Sequence, residues 1–183
     1  VRVKEAQKEF LSHFPNWSDE QAKTTTSRHY DAYWLNVDLK KQVAHQALME
    51  KSTPRNIITE VHTDAFTAIT ELTIYAPDHP RLLALITGAC AAASANIMGA
   101  QIFTTTDGMA LDTILIQREF STEDDEQRRA ERVTEIIRMA LQGKLRLKDT
   151  VANVNQPRPR LRAFSVEPRV IIDNQSSNRF TVI

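Results

Sequence analysis

The sequence predicts an α+β fold in which a helical segment precedes one β-α-β-β-α-β unit. Three observations predict it. Residues 1 to about 51 carry helical spacing, whereas 57 to about 147 alternate β-rich and helical runs. Two β-rich runs flank Asp107-Gly108, a dipeptide favoured at tight hairpins because both central residues need positive φ. Hydrophobic residues make up 42% of the 183 and charged residues 25%, which suits a buried core and argues against disorder.

The elements follow in chain order. "KEAQKEFLSHF" carries Phe10, Leu11 and Phe14 on one helical side, and after Pro15 a second helix starts with Ser18 as its N-cap. "DAYWLNVDLKKQVAHQALMEK" places Trp34, Val37, Leu39, Val43, Ala47 and Leu48 at mixed helical spacing until Pro54 ends the zone. Trp17, Tyr30, Tyr33 and Trp34 cluster here, a density that packing explains. "FTAITELTIYA" is the first strand, with Leu72 and Ile74 on the opposite pleat from Glu71, Thr73 and Tyr75. In the next helix Leu82, Ile86, Ala89, Cys90 and Ala93 share a face, and the small residues let it lie close on a sheet. After the hairpin, Ser121 to Gly143 forms a helix capped by Ser121 or Thr122 and by Gly143, with acidic residues at its positive end and Val133, Ile137, Ala140 and Leu141 buried. "KDTVANVNQPRPR" is a connector. "LRAFSVEPRVIID" is a strand that Pro168 confines to an edge, and "RFTVI" begins another. This order gives a ferredoxin-like antiparallel sheet with both helices on one face.

Composition excludes several classes. Lys+Arg and Asp+Glu stand at 23 each, so the chain lacks the basic field that nucleic acid or anionic lipid requires. The candidate strands offer Tyr75 and otherwise aliphatics, unlike the aromatic platform of an RNA-recognition motif. Cys90 is the only cysteine, which excludes an internal disulfide, a cysteine zinc cluster and the paired thiols of a metal carrier. No apolar run spans a membrane and the polar start is no signal peptide, so the chain is expected to be cytoplasmic. It opens without an initiator Met and stops inside an apparent strand, which reads as an excised fragment.

"APDHPRLLALITGACAAASANIMGAQIFTTTDGMALDTILI" resembles an ACT domain, whose first strand runs into Asp-x-Pro-Gly-Leu-Leu and whose second strand is entered through Asn-Ile. Asp78, Pro80, Leu82, Leu83, Asn96 and Ile97 match that pattern. "AQIFTTTDGMALDTILI" is similar to the first of two C-terminal ACT repeats in the bacterial bifunctional protein-PII uridylyltransferase/uridylyl-removing enzymes. "SRHYDAYWL" resembles their segment linking an HD hydrolase domain to those repeats, and "FSVEPRVIIDNQSSNRFTVI" resembles the entry to the second. The resemblance implies three parts: residues 1–56 as the linking helical segment, 57–175 as ACT domain 1 and 176–183 as the start of ACT domain 2.

What the resemblance further implies is a regulatory region that senses glutamine, in an enzyme that adds UMP to a PII protein and removes it. Mg or Mn would serve the parent enzyme. No catalytic residue, cofactor or metal ligand is expected in the chain itself, because Asp78-His79 reverses the tandem His-Asp of the HD domain and lacks further histidines. Asp78, His79, Pro80, Arg81 and Leu82, with Asn96 and Ile97, are the candidate ligand residues, commonly shared across a side-by-side pair of ACT sheets. A helix N-terminus offers N–H groups to a carboxylate and an acidic side chain holds an ammonium. Arg81 replaces the family's glycine, where a small residue allows close approach to the backbone. The alternative is that the loop only starts a helix and forms a dimer edge, in a module used for structure alone. His13, His29, His45 and His62 are scattered rather than clustered, Cys90 is a core residue, "STEDDEQRRAER" is a solvated helix face, and Arg158, Arg160 and Arg162 belong to a tie between domains.

Overall fold

The computed structural model describes residues 1–53, 56–64 and 66–145. Pro54, the connector with its three arginines, the strand interrupted at Pro168 and the start of a second repeat lie outside the described residues.

Four helices come first: α1 (Arg2–Leu11), α2 (Asp19–Arg28), α3 (Asp31–Asn36) and α4 (Leu39–Glu50). Ser18 caps α2 as expected. Its hydroxyl accepts the Gln21 N–H at 3.2 Å and Gln21 Oε1 accepts the Ser18 N–H at 2.9 Å, a reciprocal capping box. The stretch from Asp31 onward divides into two helices because Asp38 caps a fresh start, its Oδ1 accepting the Lys41 N–H at 3.0 Å.

Strands β1 (Ile58–Thr63), β2 (Ile69–Pro77), β3 (Ile97–Thr104) and β4 (Met109–Gln117) form one antiparallel sheet in the order β1-β2-β4-β3. Helix α5 (Leu82–Ala92) joins β2 to β3, and α6 (Glu123–Leu141) follows β4. The ferredoxin-like core of the expectation is therefore present. Its edge beside β2, which the sequence assigns to the last strand, is held by β1, a strand that the reading of the sequence missed. A hairpin partner a few residues away closes a short loop, and loop entropy favours it over a distant one.

The sheet is covered on both faces. Leu72, Ile74 and Ala76 of β2 and Ile114 and Ile116 of β4 pack on Leu82, Ile86, Ala89 and Cys90 of α5 and on Val133 and Ile137 of α6. On the other face Tyr75 and Leu111 pack against Phe10, Tyr33, Trp34 and Leu48 of the helical segment. Burying each such large side chain contributes about 1.5–3 kcal/mol. Two-sided cover also explains why β2 alternates so weakly in sequence.

Two local readings are corrected. The hairpin is not a two-residue turn with positive φ at both centres. The Gly108 N–H donates to the Thr105 carbonyl at 3.0 Å and only Gly108 takes positive φ, at 78°, so Asp107 is free of that strain. The acidic run opening α6 is not wholly solvated either. Glu126 is fully buried, and its carboxylate accepts the Thr70 hydroxyl at 2.6 Å, the Glu119 and Phe120 N–H groups at 3.1 Å and Arg129 at 2.8 Å. Burial would raise its pKa, but these donors together hold it below the ordinary glutamate value. The C-terminal cap stands as read, with Gly143 at φ 71°.

Candidate functional site

The loop after β2 is built on the end of the sheet. The Asp78 N–H donates to the Gly108 carbonyl at 3.1 Å, which fastens the loop to the β3–β4 hairpin. The Thr104 hydroxyl donates to Asp78 Oδ2 at 3.2 Å. His79 folds back on its own loop, where Nδ1 accepts the Arg81 N–H at 3.3 Å and its carbonyl accepts the Leu82 N–H at 2.9 Å. Helix α5 then starts at Leu82 with Arg81 as N-cap, and no side chain caps it. Asp78, His79, Pro80 and Arg81 are exposed, whereas Leu82 is buried in the core. Beside the loop, Pro77, His79 and Leu82 line a cavity of about 280 Å³ that α6 closes with Leu141 and Gln142.

The structure does not bring Asn96 and Ile97 to this loop within one chain. β3 runs parallel to β2, so its entry lies at the far end of the sheet, about 23 Å away by strand rise. There Asn96 Nδ2 donates to Gln117 Oε1 at 2.8 Å and its carbonyl accepts the Gln117 N–H at 2.8 Å, while Ile97 packs against the core. Among the described residues no group of three His, Cys, Asp or Glu is placed to hold a metal ion.

Asp112, which sequence reasoning passed over, stands near the loop. It lies on the α5 side of β4, between Ile74 and Ile102 in register, and is 2% exposed. Its Oδ1 has no hydrogen-bond partner among the described residues. Burial first, and the Asp78 carboxylate second, push its pKa up to about 7, against a backbone hydrogen bond from Phe103. The signal was available: an acid in "MALDTILI" at a core-facing position of an apolar strand.

On the opposite face, the helical segment is tied to the same hairpin. The Thr106 N–H donates to the Arg28 carbonyl at 2.8 Å, and Arg28 Nε meets Asp107 Oδ2 at 3.4 Å. His29 stacks on Tyr33 with centroids 3.8 Å apart, and the Tyr33 hydroxyl bonds His45 Nδ1 at 3.2 Å. Burial is the main cause that pushes both histidines down to about 4, so they are neutral at physiological pH. His13 stays on the surface and His62 sits on β1. Cys90 is buried and its thiol is pushed up to about 11 by burial, as suits a core residue. No helix among the described residues is long and apolar enough to cross a membrane.

No protein-family model matches the chain. It is 50% identical over 184 aligned residues to the bifunctional uridylyltransferase/uridylyl-removing enzyme of Nitrobacter hamburgensis. It is 48% identical over the same length to the enzyme of that name from Bradyrhizobium sp. strain ORS 278. Each alignment takes in all of this chain and 20% of the relative, so the chain spans about a fifth of the length of the curated relatives it matches.

Proposed function

From that full-length likeness to a fifth of a larger enzyme, we propose that the chain is the glutamine-sensing regulatory region of a cytoplasmic bifunctional uridylyltransferase/uridylyl-removing enzyme acting on a PII signalling protein. The observation that carries this reading is the 50% identity sustained along the whole chain. The transferase and hydrolase chemistry, with its Mg or Mn, belongs to domains outside the chain. The loop from Asp78 to Leu82 receives the effector, with the uncapped N-terminus of α5 facing its carboxylate and Asp78 its ammonium.

Pairing of two copies completes the site. Among the described residues β3 is an outer strand of the sheet, and two β3 edges joined antiparallel across a two-fold axis put the start of one beside the end of the other. Asn96 and Ile97 of a second copy would then meet the loop of the first. The residues separated within one chain are brought together in the pair.

A second reading, pairing without a ligand, is favoured by specific contacts. The Asp78 carboxylate already accepts the Thr104 hydroxyl of β3 and the His79 ring the Arg81 N–H, and Met98 and Ile102 are exposed on β3 at 58% and 45%. Calorimetric titration of glutamine into this chain, and into one extended through a second repeat, separates the two. The sensor reading expects heat with this chain. Heat with the longer chain alone makes this repeat a scaffold, and heat with neither removes the sensor reading.

A further inference from the structure

A cavity of about 460 Å³ opens between α4 and the β1–β2 hairpin, on the opposite face of the sheet from α5. Its lining carries charges of both signs, Lys40 and Lys41 beside Asp38, Glu60 and Glu71. Lys41 and Glu71 cross it as an ion pair at 2.7 Å, with Glu71 only 17% exposed. Lys40 has no ion-pair partner among the described residues, and Glu60 has only a long contact to Lys51, at 3.8 Å. His45 also lines the cavity while being 3% exposed. Tyr33 occupies its Nδ1 from behind, which leaves Nε2 as the ring nitrogen available to the cavity. The neutral ring is a hydrogen-bonding group there, not a charge.

With cations and carboxylates interleaved, neither an anion nor a cation alone is matched, whereas a molecule carrying both charges is. We propose that this cavity binds a small zwitterion of the α-amino-acid class, its carboxylate toward Lys40 and Lys41, its ammonium toward Glu71 and Glu60, and its head group against His45. Ala44 on α4 gives the cavity an apolar edge, against which a short aliphatic side chain fits. Such a ligand touches α4 and the sheet at once, so it strengthens the joint between the helical segment and the sheet by mass action. The site is separate from the Asp78 loop and stands without the sensor reading.

The test follows the His45 ring nitrogens of the whole chain by NMR during titration with L-norvaline, with pentanoate, which lacks the ammonium, and with butylamine, which lacks the carboxylate. The expected result is a saturating His45 shift with L-norvaline and binding at least about tenfold weaker with either single-charge analogue. Ala44→Phe, which fills the cavity from an exposed helix position, and Glu71→Gln, which removes the ammonium partner, are each expected to weaken the response about tenfold. Asp78→Ala is expected to leave it in place. The proposal is overturned by an absent shift at about 50 mM L-norvaline, by equal binding of an analogue, or by a response that survives both cavity variants or is lost in Asp78→Ala.

Discussion

Replacing Asp112 with Asn keeps the shape of the carboxyl and removes its charge. The native pKa is raised to about 7 from an ordinary 3.8, so the folded state holds a proton that the unfolded chain gives up. The sign follows directly. Below pH 3.8 both states are protonated and the group contributes nothing; as pH rises through 3.8 toward 7, stability is lost. By linkage the loss is about 1.5–2 kcal/mol at pH 5 and about 4 kcal/mol at pH 8, a difference of about 2.5 kcal/mol. His29 and His45 titrate in the same range with the opposite slope, so the wild-type profile alone is ambiguous. Their contribution cancels in the difference between wild type and Asp112→Asn. Urea unfolding at pH 5 and pH 8, followed by fluorescence of the buried Trp34, measures that difference. Asp112→Asn should gain on wild type by about 2.5 kcal/mol between the two pH values, an order-of-magnitude figure. Parallel profiles would refute the reasoning, because they would mean that Asp112 ionises in the fold as it does in water.

Glu126→Gln removes the charge that Thr70, Arg129 and two backbone N–H groups share, while Arg129 keeps Glu119 at 2.7 Å, and should cost about 2 kcal/mol in urea unfolding at pH 7. Its depressed pKa means that the wild-type advantage is present above the unfolded value and fades as pH falls through the folded one. His29 and His45, pushed down to about 4, should make the chain lose stability as pH falls from about 6.5 toward 4, checked by ring titration in NMR and by urea unfolding of the double Gln variant, whose profile should be flatter. Cys90, buried and pushed up to about 11, should react with a thiol reagent at pH 7.5 at a rate set by unfolding; fast native-state labelling would contradict its place in the core.

The α5 and α6 faces were legible because they are one-sided: Leu82, Ile86, Val133 and Ile137 fall at helical spacing and the structure buries all four. The DG turn was legible as a hairpin, though not its geometry, since a three-residue loop also seats its glycine at positive φ. β1 was not legible, because an edge strand half covered on each side shows neither strict alternation nor a continuous apolar run. Glu126 was hidden because a buried acid and a solvated one look alike until Thr70, distant in sequence, is seen to meet it. In the candidate site, the loop motif was readable from residues 78 to 82. The distance between that loop and Asn96 was not, because it depends on β3 running parallel to β2.

The sensor account is tested most directly in the intact enzyme, by following the glutamine dependence of PII uridylylation and de-uridylylation with Asp78→Ala in this region. The account predicts that the glutamine midpoint moves upward by about tenfold or more in both directions of the reaction, as loss of an ammonium partner requires. An unchanged midpoint would contradict it.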